Sequence, residues 1–261
     1  MSSTGPETNY QSLVICTSPR SGSTLLCKLL AATGKAGNPN SHFHEPSLDK
    51  WLKSYDLSAE EFSSDLQRLE AVFKAAKELG TNGTGMFALR MQRKSFDFFS
   101  RQLEILHPGL STDRARIEAA FGRTLFIHLT RKDKIAQAVS FVKATQSGLW
   151  HRSADGTELE RLSEPRDPVY DAEQIASHFR QMNTYEEEWA RWFSAERIDP
   201  LRITYDELSS DPEAVLIRIF DALGFEHEAA QGIAPPVARL SDATNREWID
   251  RFAMELREGN V

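Results

Sequence analysis

A short loop of small residues near the N-terminus is the feature that most constrains this chain. The loop reads Ser18-Pro19-Arg20-Ser21-Gly22-Ser23 and separates an apolar segment, 13–16, from a run with helical spacing, 24–30. The order strand, loop, helix directs free backbone N–H groups and the positive end of a helix dipole at whatever lies above the strand. Further donors are the side chains of Arg20, Ser21, Ser23 and Thr24. The loop therefore predicts an anion site for phosphate or sulfate.

This loop departs from the usual nucleotide phosphate loop, G-x-x-x-x-G-K-[ST]. No lysine follows Gly22, and no glycine stands five positions before it. The departure disfavours an ordinary ATP or GTP enzyme. A cysteine-phosphatase loop is also disfavoured, because Cys16 lies too close to Arg20 and within the apolar segment, where it reads as a small buried hydrophobe. A turn that only caps a helix remains the alternative without a ligand.

Apolar strands alternate with amphipathic helices along the whole chain, which predicts the α/β class with a P-loop-like parallel sheet flanked by helices. The predicted strands are Leu13–Thr17, Gly85–Met91, Thr124–Thr130 and Leu201–Tyr205. The predicted helices are Thr24–Thr33, Ser58–Leu79, Ser95–Leu106, Lys132–Thr145, Ala172–Phe193, Pro212–Leu223 and Asn245–Leu256. Ser58 with Glu61 has the pattern of a capping box, and Gly80 that of a helix stop.

Length and composition fit one domain over residues 1–261, with residues 1–11 as a flexible tail and 150–171 as an acceptor or lid loop. The formal net charge of −7 argues against a general nucleic-acid binder, so that any basic site must be local. No apolar run is long enough to cross a bilayer, which predicts a cytoplasmic protein without a transmembrane segment. Two cysteines, Cys16 and Cys27, are too few for a disulfide framework or a zinc site.

A second candidate site follows the predicted strand 124–130. Arg131 stands at the carboxyl end of this strand, where α/β sheets bind ligands, and Ser140 lies two helical turns further on. A guanidinium fork matches a dianionic phosphate better than the point charge of lysine does. Arg90, Gln92 and Arg93, which end another strand, are candidates to face an acceptor or a nucleotide.

The loop at 18–23, of the form P-[RK]-S-G-[ST]-[ST], resembles that of the sulfotransferases, and Arg131 with Ser140 matches their 3′-phosphate site. Segments 137–141, 189–193 and 239–252 narrow the resemblance to the bacterial trehalose 2-sulfotransferase family, which includes lipopolysaccharide sulfotransferases. The resemblance runs from Leu13 to Phe252. It implies the sulfotransferase fold and, through the family alone, a homodimer.

The resemblance also implies transfer of a sulfuryl group from 3′-phosphoadenylyl sulfate (PAPS) to a hydroxyl of a carbohydrate or glycolipid, without a metal. The loop would cradle the 5′-phosphosulfate, with Arg20 stabilising the charge that develops in the reaction. Arg239 matches a family arginine near the nucleotide. The implied PAPS-binding residues are thus Ser18, Arg20, Ser21, Gly22, Ser23, Thr24, Arg131, Ser140 and Arg239.

The general base is left open by the sequence. The family carries a glutamate shortly after a G-x-P segment, and alignment of that segment with 37–39 puts Ser41 in the place of the glutamate. His42, His44 and Glu45 follow directly, and any of the three has the chemistry to take a proton from a hydroxyl. If this segment is extended, alternation places His42 and His44 on one side.

Two other functions stay open. An ATP-dependent, P-loop-like kinase would bind ATP together with magnesium. A non-catalytic module would bind adenosine 3′,5′-bisphosphate without turnover, which the replaced glutamate at Ser41 would allow.

Overall fold

Four parallel strands form the central sheet within residues 10–153, 155–237 and 240–259, which are the residues that this computed structural model describes. Their spatial order is β2-β1-β3-β6, so β1 is paired along both edges. The strands are β1 (Ser12–Thr17), β2 (Phe87–Gln92), β3 (Thr124–Thr130) and β6 (Leu201–Thr204). A separate antiparallel hairpin consists of β4 (Leu149–Arg152) and β5 (Glu158–Arg161).

Helices cover both faces of the sheet. They are α1 (Ser23–Ala32), α2 (Leu48–Ser54), α3 (Asp65–Thr81), α4 (Arg93–Leu106), α5 (Asp113–Phe121), α6 (Lys134–Ser147), α7 (Ala172–Ala195), α8 (Tyr205–Ser210), α9 (Pro212–Leu223) and α10 (Ala243–Arg257). The predicted α/β class with a parallel sheet between helices is therefore confirmed.

Alternation along β1 divides the core between the two faces. Leu13 and Ile15 pack with α1 and α9 on one side, whereas Val14 and Cys16 face a cluster rich in aromatic rings on the other. In that cluster the Phe43 ring lies 4.7–5.0 Å from three other aromatic rings. A third apolar cluster joins α6, α7 and α10 and contains the buried Trp248. Because β1 is apolar on both faces, the loop that follows it starts from the most enclosed part of the sheet.

The helix α3 starts later than predicted. The expected cap at Ser58 makes no side-chain cap hydrogen bond and precedes only a short 3-10 turn, Ala59–Glu61. The cap of α3 is Ser64, whose side chain accepts from Gln67 N. Gly80 lies inside the helix, and a β-carbon there would lie 2.5 Å from the Phe87 ring. Gly80 is thus a close-packing position and not the predicted stop.

Two segments that were expected to be irregular contain ordered residues. Tyr10 and Gln11, expected in a flexible tail, are held in place, since Gln11 N donates to Arg123 O and the Tyr10 ring lies under the Arg123 guanidinium. Residues 1–9 of that tail lie outside the described residues. The segment 150–171, expected to be a loop, contains most of the β4–β5 hairpin. No helix among the described residues is long and apolar enough to span a bilayer.

Candidate active site

The β1–α1 loop, residues Ser18–Gly22, has two residues in the left-handed backbone region. Arg20 has φ +62° and Gly22 has φ +86°. A β-carbon on Gly22 would lie 2.7 Å from Cδ2 of Tyr205, so both the backbone angle and the close approach of Tyr205 require glycine. The sharp turn brings the chain from the end of β1 directly into α1.

Buried hydrogen bonds fix the inner side of this loop. Ser21 Oγ donates to Ser18 O over 2.9 Å, and the amide of Gln137 donates to Ser18 Oγ at 2.9 Å and to Pro19 O at 2.6 Å. The side chains of Ser18 and Ser21 are buried and lie outside the lining of the adjoining cavity. The structure thus gives these two predicted ligands a supporting position, while Arg20, Gly22, Ser23 and Thr24 line the cavity.

The first turn of α1 is free to meet an anion. Gly22 stands at the N-cap and has no side chain to accept from the first-turn amides, and this fully described turn carries no acidic residue. The helix dipole and the first-turn N–H groups therefore favour a negatively charged ligand at this point.

Three guanidinium groups surround the same space. Arg20 donates to Ser140 Oγ at 3.0 Å and to Trp150 O at 2.7 Å, and Arg131 reaches Arg20 O at 3.5 Å. Arg90 donates to Thr24 Oγ1 at 2.9 Å. All of these acceptors are uncharged, and within the described residues none of the three arginines forms an ion pair.

Burial and mutual repulsion act on the arginines. Burial, followed by the charge of Arg131, lowers the pKa of Arg20 to about 10. Burial also lowers the pKa of Arg131, whose guanidinium lies 4.6 Å from the centre of the Tyr205 ring. Both groups stay protonated at neutral pH, and an anion between them would relieve their repulsion.

A cavity of about 560 Å³ lies over the β1–α1 loop. Its lining combines cationic, polar and apolar side chains from the sheet edge, the hairpin and the segment before α10. Besides the loop residues it includes His44, Glu45, Arg90, Gln92, Lys94, Arg131, Ser140, Phe141, Trp150, His151, Glu160, Tyr205, Val237 and Leu240. The predicted residues Arg20, Arg131 and Ser140, which are distant in the sequence, therefore meet at one cavity.

The three residues predicted as candidates for the general base do not lie together in the structure. His44 and Glu45 line the cavity, but His42 is buried elsewhere, with Nε2 3.2 Å from Asn38 O. The segment from Ser41 to Glu45 turns and does not extend, which removes the alternation that would place His42 and His44 on one side. Ser41, which takes the place of the family glutamate, accepts from Arg90 Nε at 2.9 Å.

Two further predictions about arginines have different outcomes. Arg93 does not line the cavity, because it is ion-paired with Asp97 at 2.7 Å and Glu188 at 3.0 Å. Arg239 lies outside the described residues, and its predicted role is not addressed by the structure. Among the residues that are described, no group of three or more His, Cys, Asp or Glu side chains is arranged to hold a metal ion.

Sequence reasoning missed His151 and Glu160. Both lie on the β4–β5 hairpin, and His151 Nε2 is 3.0 Å from Thr24 Oγ1 and 3.4 Å from Glu160 Oε2. The sequence carries no clear signal for them, because 149–152 has two apolar residues followed by two polar ones and is too short to distinguish a strand from a loop. Gln137, which supports the loop, belongs to a segment that carries the family resemblance, but the sequence assigned it no role of its own.

Known proteins similar to this chain are sulfotransferases. Two trehalose 2-sulfotransferases match it: that of Mycobacterium tuberculosis is 30% identical and covers 93% of this chain and 94% of its own, and that of Mycolicibacterium smegmatis is 25% identical, with 95% and 96% covered. A solved sulfotransferase from Alicyclobacillus acidocaldarius covers 96% of this chain and 93% of its own, with 14% identity and a TM-score of 0.46.

A family model also matches most of the chain. The Stf0 sulphotransferase family model matches residues 12–255, which include the β1–α1 loop, Arg131 and the described cavity lining. Since the match extends over far more than half of the chain, the chain belongs to the Stf0 sulphotransferase family and is a sulfotransferase.

Proposed function

We propose that this sulfotransferase transfers the sulfuryl group of PAPS to a hydroxyl of a carbohydrate acceptor. The observation that carries the proposal is the group of three arginines, Arg20, Arg90 and Arg131, which face one cavity with only uncharged hydrogen-bond acceptors. A ligand with several negative charges would balance them, and PAPS carries a phosphosulfate and a 3′-phosphate.

The two anionic ends of PAPS fit two parts of the cavity. We place the 5′-phosphosulfate at the first turn of α1, where Gly22, Ser23 and Thr24 present backbone amides and hydroxyls. We place the 3′-phosphate at Arg131 and Ser140. Arg20 links the two parts, because it donates to Ser140 while its own loop precedes α1. Ser18 and Ser21 would act through the shape of the loop.

The proposed reaction is an in-line displacement at sulfur. The acceptor oxygen forms a bond to sulfur as the bond from sulfur to the 5′-phosphate oxygen breaks, and its electron pair leaves with adenosine 3′,5′-bisphosphate. Negative charge grows on that phosphate oxygen, where Arg20 and the α1 amides would stabilise it. The acceptor hydroxyl must also lose its proton, and of the three predicted bases only His44 and Glu45 line the cavity.

A carbohydrate acceptor is supported by the relatives and by the lining. Both curated relatives are trehalose 2-sulfotransferases. Arg90, Gln92, His44 and Glu45 form a polar wall beside the loop, suited to hydrogen bonds with several hydroxyls. The family match over 12–255 supports one domain. The glycolipid acceptor, the homodimer and the cytoplasmic location remain predictions.

The first experiment compares ligands by thermal melting. Because a ligand that binds the folded state raises stability by mass action, adenosine 3′,5′-bisphosphate should raise Tm without added magnesium, and ADP should raise it less. The protein would then be incubated with PAPS and trehalose, and sulfated trehalose would be sought by mass spectrometry.

The competing functions give different results. A shift that requires both ATP and magnesium would contradict the PAPS proposal and favour a kinase. Tight bisphosphate binding with no sulfated product from trehalose or other sugars, and no release of bisphosphate from PAPS, would favour the non-catalytic module.

A further inference from the structure

His151 lies beside the first turn of α1, to which the phosphosulfate is assigned under the proposed function. It belongs to β4, and the hairpin brings its imidazole to the first turn of α1, with Nε2 3.0 Å from Thr24 Oγ1. Its side chain is 25% exposed and lines the cavity. A group that contacts Thr24 is next to the amides assigned above to the phosphosulfate.

The hydrogen bonds around Thr24 are compatible with a lone pair on Nε2 of the imidazole. Arg90 Nη1 donates to Thr24 Oγ1 at 2.9 Å, so the hydroxyl accepts from Arg90 and its own proton is free to be donated to His151 Nε2. A nitrogen that accepts from Thr24 is unprotonated. If the hydroxyl of the carbohydrate substrate took the place of Thr24, it would donate its proton to the same lone pair.

The charges that face His151 keep it neutral before the donor binds. Burial, followed by Arg20, Arg90 and Lys28, lowers the pKa of His151 to about 4. The acidic group facing it is Glu160 on β5, with Oε2 3.4 Å from Nε2. A bound polyanion would offset the three cations and raise the proton affinity of the ring, and Glu160 would stabilise the imidazolium that forms.

The two bases expected from the sequence are less favourably placed. His44 Nε2 lies 3.4 Å from the Lys94 ammonium, and the carboxylate of Glu45 is held by Lys50 at 3.1 Å. The imidazole of His44 and the carboxylate of Glu45 therefore each face a lysine ammonium. The ammonium competes with the substrate hydroxyl for the lone pair that a base must use.

We propose that His151 is the general base of the transfer and that Glu160, which faces the same Nε2, stabilises the imidazolium once Nε2 carries the proton. The role rests on the proposed function. The acceptor O–H proton passes to His151 Nε2, the acceptor oxygen bonds to sulfur, and the bond from sulfur to the 5′-phosphate oxygen breaks with its electron pair going to the departing bisphosphate. Thr24 holds Nε2 in place until the acceptor hydroxyl arrives.

The test compares His151→Gln and Glu160→Gln with a matched control pair, His227→Gln and Asp221→Asn. The control pair is also a histidine beside a carboxylate, 2.6 Å apart, but it is exposed and outside the cavity lining. Each protein is assayed in two ways: adenosine 3′,5′-bisphosphate affinity by titration calorimetry, and bisphosphate release from PAPS with trehalose or with water alone, as a function of pH.

His151→Gln should lower kcat by about 10²- to 10⁴-fold, the usual contribution of a general base, while the bisphosphate Kd changes less than about threefold. The acidic limb of the kcat–pH profile should disappear. Glu160→Gln should lower kcat less and move the acidic limb to lower pH, because the imidazolium loses its partner. Retained bisphosphate binding shows that each variant is folded.

Three results would overturn the role. A His151→Gln enzyme with wild-type kcat removes His151 from the chemistry. An acidic limb unchanged in Glu160→Gln removes Glu160. A wild-type protein that binds the bisphosphate but never releases it from PAPS, with either acceptor, overturns the proposed function and this role together.

Discussion

Tyr205 packs against Gly22 so closely that a β-carbon on the glycine would lie 2.7 Å from Tyr205 Cδ2. The same tyrosine ring lies 4.6 Å from the Arg131 guanidinium. The backbone of the β1–α1 loop and the cation assigned to the 3′-phosphate therefore share one aromatic support. A substitution in the loop that moves this ring should therefore also displace the Arg131 guanidinium.

Gly22→Ala should both destabilise the protein and weaken bisphosphate binding. The left-handed φ alone costs about 1–2 kcal/mol for a non-glycine residue, and displacement of Tyr205 adds to it. Gly34→Ala is the matched control, since Gly34 also has a positive φ but has no heavy atom within 4 Å of the added carbon. Urea unfolding and calorimetry would check both effects. Equal losses in the two variants would show that the contact with Tyr205 is unimportant.

Arg131→Ala should lower the affinity for adenosine 3′,5′-bisphosphate by at least about tenfold. A charge-assisted hydrogen bond contributes roughly 1.5–3 kcal/mol, and Lys at this position should recover only part of it, because it lacks the guanidinium fork. Arg257→Ala, at an exposed position of α10 outside the cavity lining, should bind normally. If Arg131→Ala retained wild-type affinity in calorimetry, the 3′-phosphate site would have to lie elsewhere.

Acid should destabilise the free protein through His151. The pKa of this residue is about 4 in the folded state, below the value of about 6.5 for an unfolded histidine. Between these values the unfolded state binds more protons, so stability is complete above about pH 6.5 and falls as the pH is lowered toward 4. His151→Gln should show a shallower fall. The free energy of unfolding of the wild type and of His151→Gln would be measured with urea between pH 7 and 4.5. An equal dependence on pH in the two proteins would contradict the prediction.

Lys143→Met should loosen α10. Lys143 Nζ donates to both carboxylate oxygens of Asp242, each at 2.5 Å, and to Asn245 Oδ1 at 2.9 Å, which ties α6 to the capped start of α10. Because Asp242 is largely exposed, we expect a loss of about 1 kcal/mol. Hydrogen exchange should accelerate most in 243–257.

The control for this variant is Lys50→Met, which breaks an ion pair exposed on both sides. Its effect on the free energy of unfolding should stay within about 0.5 kcal/mol. Similar exchange in α10 for the two variants would show that the Lys143 link does not hold the helix.

Features specified by neighbouring residues could be predicted from the sequence. The small residues after β1 predicted the loop, and the predicted helix Pro212–Leu223 has the bounds of α9, which begins with proline and is capped by the Asp211 side chain accepting from Ala214 N. Arg131 was predicted at the cavity because parallel strands end at a common edge. In each case the determining contacts lie within one or two elements.

Features that depend on distant contacts could not be predicted. His151 contacts Thr24 across 127 positions of the chain, and its strand has only four residues. The α2 helix, of seven residues, is too short to show a clear period, although it buries Trp51 and Leu52. His42 was misplaced because the local backbone turns where alternation would require an extended chain.

The double pairing of β1 has a consequence for how the molecule fluctuates. Its amides and carbonyls are bonded to β2 on one side and β3 on the other, so their release from hydrogen bonds requires the whole sheet to separate. The β4–β5 hairpin is a separate two-stranded sheet, linked through Ser153 to Val237 by an isolated bridge, and we expect it to open at lower free energy. Amide exchange should therefore divide the lining of the candidate active site into two parts. The part attached to β1, which includes Arg20, should exchange only with global unfolding, whereas the hairpin, which carries His151, should exchange by local opening.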